Sequence, residues 1–356
     1  MTKGQGKHVG VLGLGLIGGS LALRLADSGV PVVGWDPDES TRVAAHAAGV
    51  KVVEERADLV LGAGIIVVAG PLMAIPQVCQ WLGSVISPEV TVMDVGSVKG
   101  PVRREMRAAG LERQFVGAHP MAGAETSGFS AARPDVLDNA MWAVSGDDAA
   151  DPRRVFEVMR LITGPACGRV VVVDDATHDA VVALVSHVPH VFAHELLGYA
   201  AEDRLGGLAK LLAAGSFRDG TRVARLNPQR NAAMVWHNRH EVAHLLDDMI
   251  DELVEFRQHL LLSEQSVEFA EFFDRSQQWS RGDSARNVVN SDAGGSERSV
   301  DAPGHLVVPL DQLVPRLRNA GSHGLWVSAV AWSHGSVRHS VNAEPDVQEV
   351  EVWVCQ

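Results

Sequence analysis

Residues 8–29 read HVGVLGLGLIGGSLALRLADSG, and they decide the architecture of the N-terminal half. His8–Leu12 is a short apolar run with the character of a buried strand. Gly13, Gly15 and Gly18 follow in GxGxxG spacing, and IGGSLALRLADSG reads as a helix. The first glycine permits a tight turn, the second keeps a side chain out of the path of a pyrophosphate, and the third lets helix and sheet approach closely. The helix start, at Leu16 and Ile17, would then offer unpaired backbone N–H groups to phosphates. A bare GxGxxG is weak evidence. Here it sits between a predicted strand and a predicted helix, where the chemistry needs it.

Outward from this stretch, PVVGW (31–35) reads as a second strand ending at Asp36, 23 residues beyond Gly13. A carboxylate there can accept hydrogen bonds from the adenosine ribose and would repel a 2′-phosphate, which favours NAD over NADP. An ordinary turn acid before Pro37 fits the same position. DESTRVAAHAAG suits a helix, and further strands are expected at about 64–69, 91–95 and 140–145. Apolar strands separated by helices predict a parallel α/β sheet covered on both faces. Gly70 and Pro71 close the 64–69 strand and would let a cofactor pass near the backbone, although a simple structural turn suits them nearly as well. No further flavin signature accompanies the glycines, so a nicotinamide cofactor leads over FAD.

The rhythm changes after about residue 170. Asp175–Tyr199 looks helical apart from Pro189. Across 229–276, Val235, Val242, Leu246, Met249, Leu253 and Phe256 recur at helical spacing. RGDSARNVVNSDAGGSERSV (281–300) has linker composition, and the tail suggests strand, helix and further strands. The expected plan is a Rossmann-type nucleotide domain over 1–172, an all-α substrate and dimerisation domain over 173–280, a linker over 281–300, and a small α+β appendage over 301–356.

The net charge of −13, without a concentrated Lys/Arg run, gives no footprint for nucleic acid. Cys79, Cys167 and Cys355 are too dispersed for a zinc cluster. The histidine sets 187/190/194 and 237/240/244 lack the accompanying ligands of a recognised metal motif, so no metal is expected. No signal-peptide core precedes the first strand, and no apolar run has the length of a bilayer span. A cytoplasmic protein without a membrane segment is the expectation.

Five segments taken together carry a more specific message: GLGLIGGS (13–20), DVGSVKG (94–100), GAHPMAGAETSG (117–128), HDAVVALVSHVPH (178–190) and GSFRDGTRVA (215–224). In combination and order they resemble the prephenate/arogenate dehydrogenase family over residues 8–275. The resemblance implies oxidative decarboxylation of a cyclohexadiene acid with NAD, in tyrosine synthesis, by a homodimer with a helical second domain. It implies His119 as the residue that draws the proton from the ring hydroxyl. Imidazole titrates near neutrality, which suits that task. Ser97 is implied as its hydrogen-bonding companion, with a turn or helix cap as the alternative. Arg222 is implied as the carboxylate anchor through its two-pronged guanidinium. Arg218 is a weaker choice that could instead pair with Asp219. His190 is implied as a substrate-orienting residue bordering an interdomain cleft, with His187 behind it. Lys99 could meet a carboxylate or phosphate, or simply face solvent.

Prephenate is the preferred substrate, with arogenate or an amino-substituted prephenate as alternatives. Sequence cannot place Glu125 or Asp219 against the group that distinguishes them. A small hydroxy-acid dehydrogenase matches fewer of the motifs. An NAD-binding sensor or interaction protein is the reading from a different class, disfavoured by Ser97, His119 and Arg222 together. Beyond residue 275 the resemblance fades. Some family members carry an amino-acid-binding regulatory domain of the ACT type. This tail is short for a complete one, which leaves a partial ACT-like region and tyrosine as a feedback ligand as an expectation only.

Overall fold

The computed structural model describes residues 7–123, 126–147, 150–202, 206–262, 267–280, 304–333 and 348–356. The predicted linker 281–300 and Glu125 lie outside the described residues. The chain divides into two compact units. One comprises Met1–Asp179, Leu226–His237 and Val300–Gln356; the other comprises Ala180–Arg225 and Asn238–Ser299.

The first unit opens with β1 (His8–Leu12), α1 (Leu16–Asp27), β2 (Val32–Trp35), α2 (Glu39–Ala47), β3 (Lys51–Val52) and α3 (Arg56–Leu59). It continues with β4 (Ala63–Val68), α4 (Ile75–Val85), β5 (Thr91–Asp94), α5 (Gly100–Ala108) and β6 (Phe115–Val116). These six strands form one sheet in the order β3-β2-β1-β4-β5-β6, and every pairing is parallel. Strand order reverses between β1 and β4, the switch point at which such sheets take ligands beyond their carboxyl ends.

Alternation along the strands explains the two covered faces. Val9, Val11, Val67 and Met93 pack on the side of Leu21 and Leu25 of α1. Leu12, Ile66, Val68 and Val92 pack on the other side, against Cys79 and Leu82 of α4 and Val102 and Met106 of α5. Each large aliphatic side chain buried this way stabilises the fold by roughly 1.5–3 kcal/mol relative to exposure.

A second sheet is built from β7 (Ala118–Pro120), β8 (Met141–Ser145), β9 (Arg169–Val173), β10 (Gly304–Pro309), β11 (Trp326–Trp332) and β12 (Glu349–Cys355), ordered β10-β12-β11-β9-β8-β7. The helix α6 (Pro152–Thr163) contributes Val155, Phe156 and Met159 to its core. The tail does contain the predicted strands and helix, but it does not stand apart as an appendage. Val327 pairs with Val170, and Val308, Val352 and Val354 join the same core as Trp142 and Val172.

The remaining helices are α7 (Asp175–Val182), α8 (Val188–Glu202), α9 (Gly206–Leu212), α10 (Gly215–Gly220), α11 (Pro228–His237), α12 (Arg239–Leu262), α13 (Val267–Ser280) and, in the tail, α14 (Leu313–Ser322). The two compact units part within α7, and α11 belongs to the first of them. Pro189 does not interrupt the helical path. A π-turn at Ala183–His187 precedes it, in which the Val188 N–H reaches back to Ala183 O, so the wider turn accommodates the ring.

The helical run Asp175–Ala201 has the length and mean hydropathy of a membrane span, although no unbroken apolar run of that length occurs within it. It carries buried Asp175, His178, Asp179 and His187 alongside exposed Val181, Leu184, Val185 and Leu196. In the second unit, α12 and α13 are joined by aromatic stacking, with Phe256 and Phe272 centroids 4.2 Å apart.

Candidate active site

The glycine turn has the geometry its spacing predicts. Gly13 has φ +102°, and a Cβ there would lie 2.8 Å from the Ala69 carbonyl carbon. A Cβ on Gly18 would lie 2.0 Å from Gly13 O, so the start of α1 can approach only with glycine at that position. Gly15 differs: a Cβ there would meet nothing within 4 Å, and the same holds for Gly70. These two glycines border open space rather than tight packing. Gly15 also N-caps α1, and among the described residues no side chain caps the N–H groups of the first turn, Leu16 to Gly18, while no acid sits in that turn. The combination is a cradle with unsatisfied donors, as a pyrophosphate requires. Asp36 stands at the tip of β2, where one carboxylate oxygen accepts from Leu14 N at 2.8 Å and the other from Asp38 N at 3.0 Å. Its remaining lone pairs suit ribose hydroxyls. Pro71 leads from Gly70 into the short turn Leu72–Ala74.

His119 lies on β7, half-buried, and its backbone is pinned through its neighbour. Asp94, at the end of β5, accepts from Ala118 N, and Lys99 Nζ donates to Ala118 O at 2.8 Å and to Asp94 Oδ2 at 2.5 Å. Lys99 is 1% exposed, which corrects the expectation that it meets substrate or solvent. Its charge is consumed inside the unit, because a buried ammonium without a carboxylate would be prohibitively costly. Burial pushes the Asp94 carboxyl above the usual carboxylate range, with the Lys99 ammonium acting in the opposite sense. Ser97 is half-buried in the β5–α5 connection, and no side-chain hydrogen bond joins it to His119 among the described residues.

Behind His119 stands a pair, His178 and Asp179, that no local sequence signal marks. His119 Nδ1 lies 3.0 Å from His178 Nε2, and His178 Nδ1 lies 2.8 Å from Asp179 Oδ1. Asp179 also accepts from the backbone N–H groups of Lys99 at 2.7 Å and Gly100 at 2.9 Å, so it caps α5 while holding His178. An ionised carboxylate can only accept, so the His178 proton sits on Nδ1 and its Nε2 accepts from His119 Nδ1–H. That order puts the accepting lone pair of His119 on Nε2.

The start of α7 is itself anchored. Arg103 of α5 donates to Asp175 and Ser145, and Ser145 donates to Asp175. Burial opposes charge on Asp175, but the hydrogen bonds from Arg103 and Ser145 outweigh it and hold this carboxyl below the usual range. Asp147, 2.8 Å from Arg103 Nε, is pushed upward by burial and by the charge of Asp175.

In the helical unit, Thr221 is fully buried and its hydroxyl donates to Phe217 O at 2.7 Å. This closes α10 and sets Arg222 at the head of the short turn Arg222–Arg225, on the surface. Arg218 is exposed on α10, and no ion pair to Asp219 forms among the described residues. His190 donates through Nδ1 to Ser186 O at 2.7 Å, which leaves Nε2 as its accepting atom. His187 is 0% exposed and its Nδ1 lies 3.0 Å from Asn238 Nδ2, which corrects its assignment as a substrate contact. It is a hydrogen-bonded core residue. No group of three or more metal-ligating side chains occurs among the described residues.

A family model described as the prephenate dehydrogenase nucleotide-binding domain matches residues 20–172, and one described as the prephenate dehydrogenase dimerization domain matches 174–275. The chain belongs to the prephenate dehydrogenase family. It is 32% identical over 257 residues to a prephenate dehydrogenase of Bacillus subtilis, covering 70% of this chain and 68% of that one. Among solved structures, a candidate prephenate dehydrogenase of Corynebacterium glutamicum superposes with a TM-score of 0.74 at 28% identity, over 90% of this chain and 98% of its own. An arogenate dehydrogenase of Synechocystis gives 0.66 at 28% identity, over 79% and 100%. Prephenate dehydrogenases are oxidoreductases of aromatic amino-acid biosynthesis, and the nucleotide-binding match begins at residue 20, directly after the glycine turn of residues 13–18.

His178 and Asp179 open the segment HDAVVALVSHVPH, in which the resemblance points to the C-terminal histidines His187 and His190. The link from His178 to His119 spans 59 positions and no local pattern announces it.

Proposed function

We propose that this protein oxidatively decarboxylates prephenate to 4-hydroxyphenylpyruvate with NAD as oxidant. The observation that carries the reading is His119, backed by His178 and Asp179, in the unit that holds the glycine cradle. The residues fit the cofactor. Gly15 and Gly70 leave room for it, the first turn of α1 offers donors at Leu16, Ile17 and Gly18, and Asp36 suits an unphosphorylated ribose. When bound, NAD supplies a two-electron acceptor for the hydride on the carbinol carbon of the ring.

The side chains of the protein manage protons and charge. His119 Nε2 accepts the ring hydroxyl proton as hydride departs, which relieves developing positive charge on that carbon. The carbon–carbon bond to the ring carboxylate then breaks, carbon dioxide leaves, and the bonding pair completes the aromatic ring. His119 returns its proton to the phenolic oxygen, so the protein ends the turnover as it began. Arg222 grips a carboxylate through paired hydrogen bonds, His190 orients the side chain, and Ser97 offers a hydroxyl to the ring oxygen. Exposed Leu196, Leu211, Ile250, Leu253 and Leu260 in the helical unit support self-association as a homodimer.

A matched assay tests the reading: purified protein with prephenate or arogenate, and NAD or NADP. Fastest NADH formation with prephenate and NAD is expected. Equal or greater efficiency with arogenate would replace the substrate, and no turnover with either would reject the activity.

A further inference from the structure

We propose that Arg230 is a second guanidinium for the substrate, binding the carboxylate that the reaction retains; this rests on the dicarboxylate substrate proposed above. The position of Arg230 follows from α11. Asn227 accepts from Arg230 N at 3.1 Å and so caps the helix, with Pro228 in the first turn. Asn231 and Met234 form the buried side of α11. His237 Nε2, at its end, lies 3.4 Å from Met73 Sδ. Met73 belongs to the turn Leu72–Ala74, directly after Gly70 and Pro71 at the carboxyl end of β4. The helix therefore lies at the ligand-binding end of the parallel sheet. It is on the β4 side of the switch point, opposite the β2 side where Asp36 suits the adenosine ribose, so it borders the reacting half of a dinucleotide.

Arg230 itself is exposed, and its Nη2 lies 3.9 Å from where a Cβ on Gly123 would stand. Gly123 lies four positions beyond His119, in the segment that follows β7. Elsewhere in this unit Arg24, Arg42 and Arg103 each pair with a carboxylate. Among the described residues the guanidinium of Arg230 has none.

The chemistry selects which carboxylate it takes. A fixed cation on the ring carboxylate would stabilise charge that disappears as carbon dioxide leaves, so it would bind the ground state better than the transition state and slow the reaction. The side-chain carboxylate keeps its charge throughout, and a guanidinium there costs nothing in rate. The expected signature is weaker binding of both substrate and product, with the chemical step spared.

The test compares wild type, Arg230→Gln and Arg230→Lys in steady-state turnover of prephenate with NAD. Calorimetric titrations of each with 4-hydroxyphenylpyruvate and with NAD complete it. For Arg230→Gln, KM and the Kd of 4-hydroxyphenylpyruvate should each rise roughly 10- to 100-fold, as loss of charge-assisted hydrogen bonds predicts. The turnover number and the Kd of NAD should stay within about twofold of wild type, and Arg230→Lys should recover part of the loss. Weakened NAD binding with unchanged KM would assign Arg230 to the cofactor and overturn the proposal. Unchanged KM and product affinity would overturn it as well, while leaving the reaction assignment intact. A wild type that turns over no prephenate but binds NAD would sink both.

Discussion

Replacing His178 with Ala removes the acceptor that lies 3.0 Å from His119 Nδ1, while leaving Asp179 its two backbone donors at Lys99 and Gly100. A hydrogen bond of this kind contributes about 0.5–1.5 kcal/mol net. Since about 1.4 kcal/mol is a factor of ten in rate, the lost bond alone lowers kcat about 2- to 13-fold. The upper end is expected, because the carboxylate beyond His178 strengthens it as an acceptor and its loss also frees His119 to adopt the unproductive tautomer. His178 is 3% exposed, so KM for prephenate should not change. His119→Asn, which removes the base itself, should cost roughly 10²–10⁴ in kcat. His178→Gln places an amide oxygen near the lost Nε2 and should recover most of the activity. Steady-state rates of NADH formation for the three variants and for His119→Asn/His178→Ala decide the matter. If His178 acts only through His119, the double variant equals His119→Asn. A kcat for His178→Ala within twofold of wild type, or full additivity in the double variant, would refute the positioning role.

Gly15→Val should fold normally, because nothing lies near the added Cβ, yet lose NAD binding in a calorimetric titration. Gly18→Ala should instead lower the melting temperature through its clash with Gly13 O. Lys99→Met leaves Asp94 buried and unpaired, an expected cost of about 3–5 kcal/mol in denaturant unfolding, and Asp94→Asn/Lys99→Met should regain part of it. Arg222→Ala should raise KM for prephenate with little change in NAD affinity, measured in the same matched assay. Burial pushes the Cys79 thiol up to about 12, so in the folded protein a thiol reagent at mildly alkaline pH should label exposed Cys167 and spare Cys79, as read by peptide mass analysis.

What the sequence disclosed was what short range encodes. The glycine turn, the acid at the tip of β2 and the strand–helix alternation each depend on neighbours within a few residues, so spacing suffices. Lys99 shows the opposite. As a lone lysine in a loop it suits solvent, and only Asp94 and the Ala118 carbonyl, 19 positions away, draw its ammonium inside. The return of Leu226–His237 to the first unit and the pairing of Val327 with Val170 are equally long-range. His119 and Arg222 emerged through whole motifs, since nothing in the residues beside them distinguishes a base or an anchor from a surface histidine or arginine.

The attachment of β11 to β9 bears on how the C-terminal segment can be studied. Cutting the chain near residue 300 would strip half the strands from the second sheet and uncover the backbone of β9 and the apolar side chains beneath α14. A raw strand edge of that kind recruits other chains. Truncated protein should precipitate whether or not the segment binds an effector, so allosteric control is better probed by single surface substitutions on α14 or β10 in the intact polypeptide.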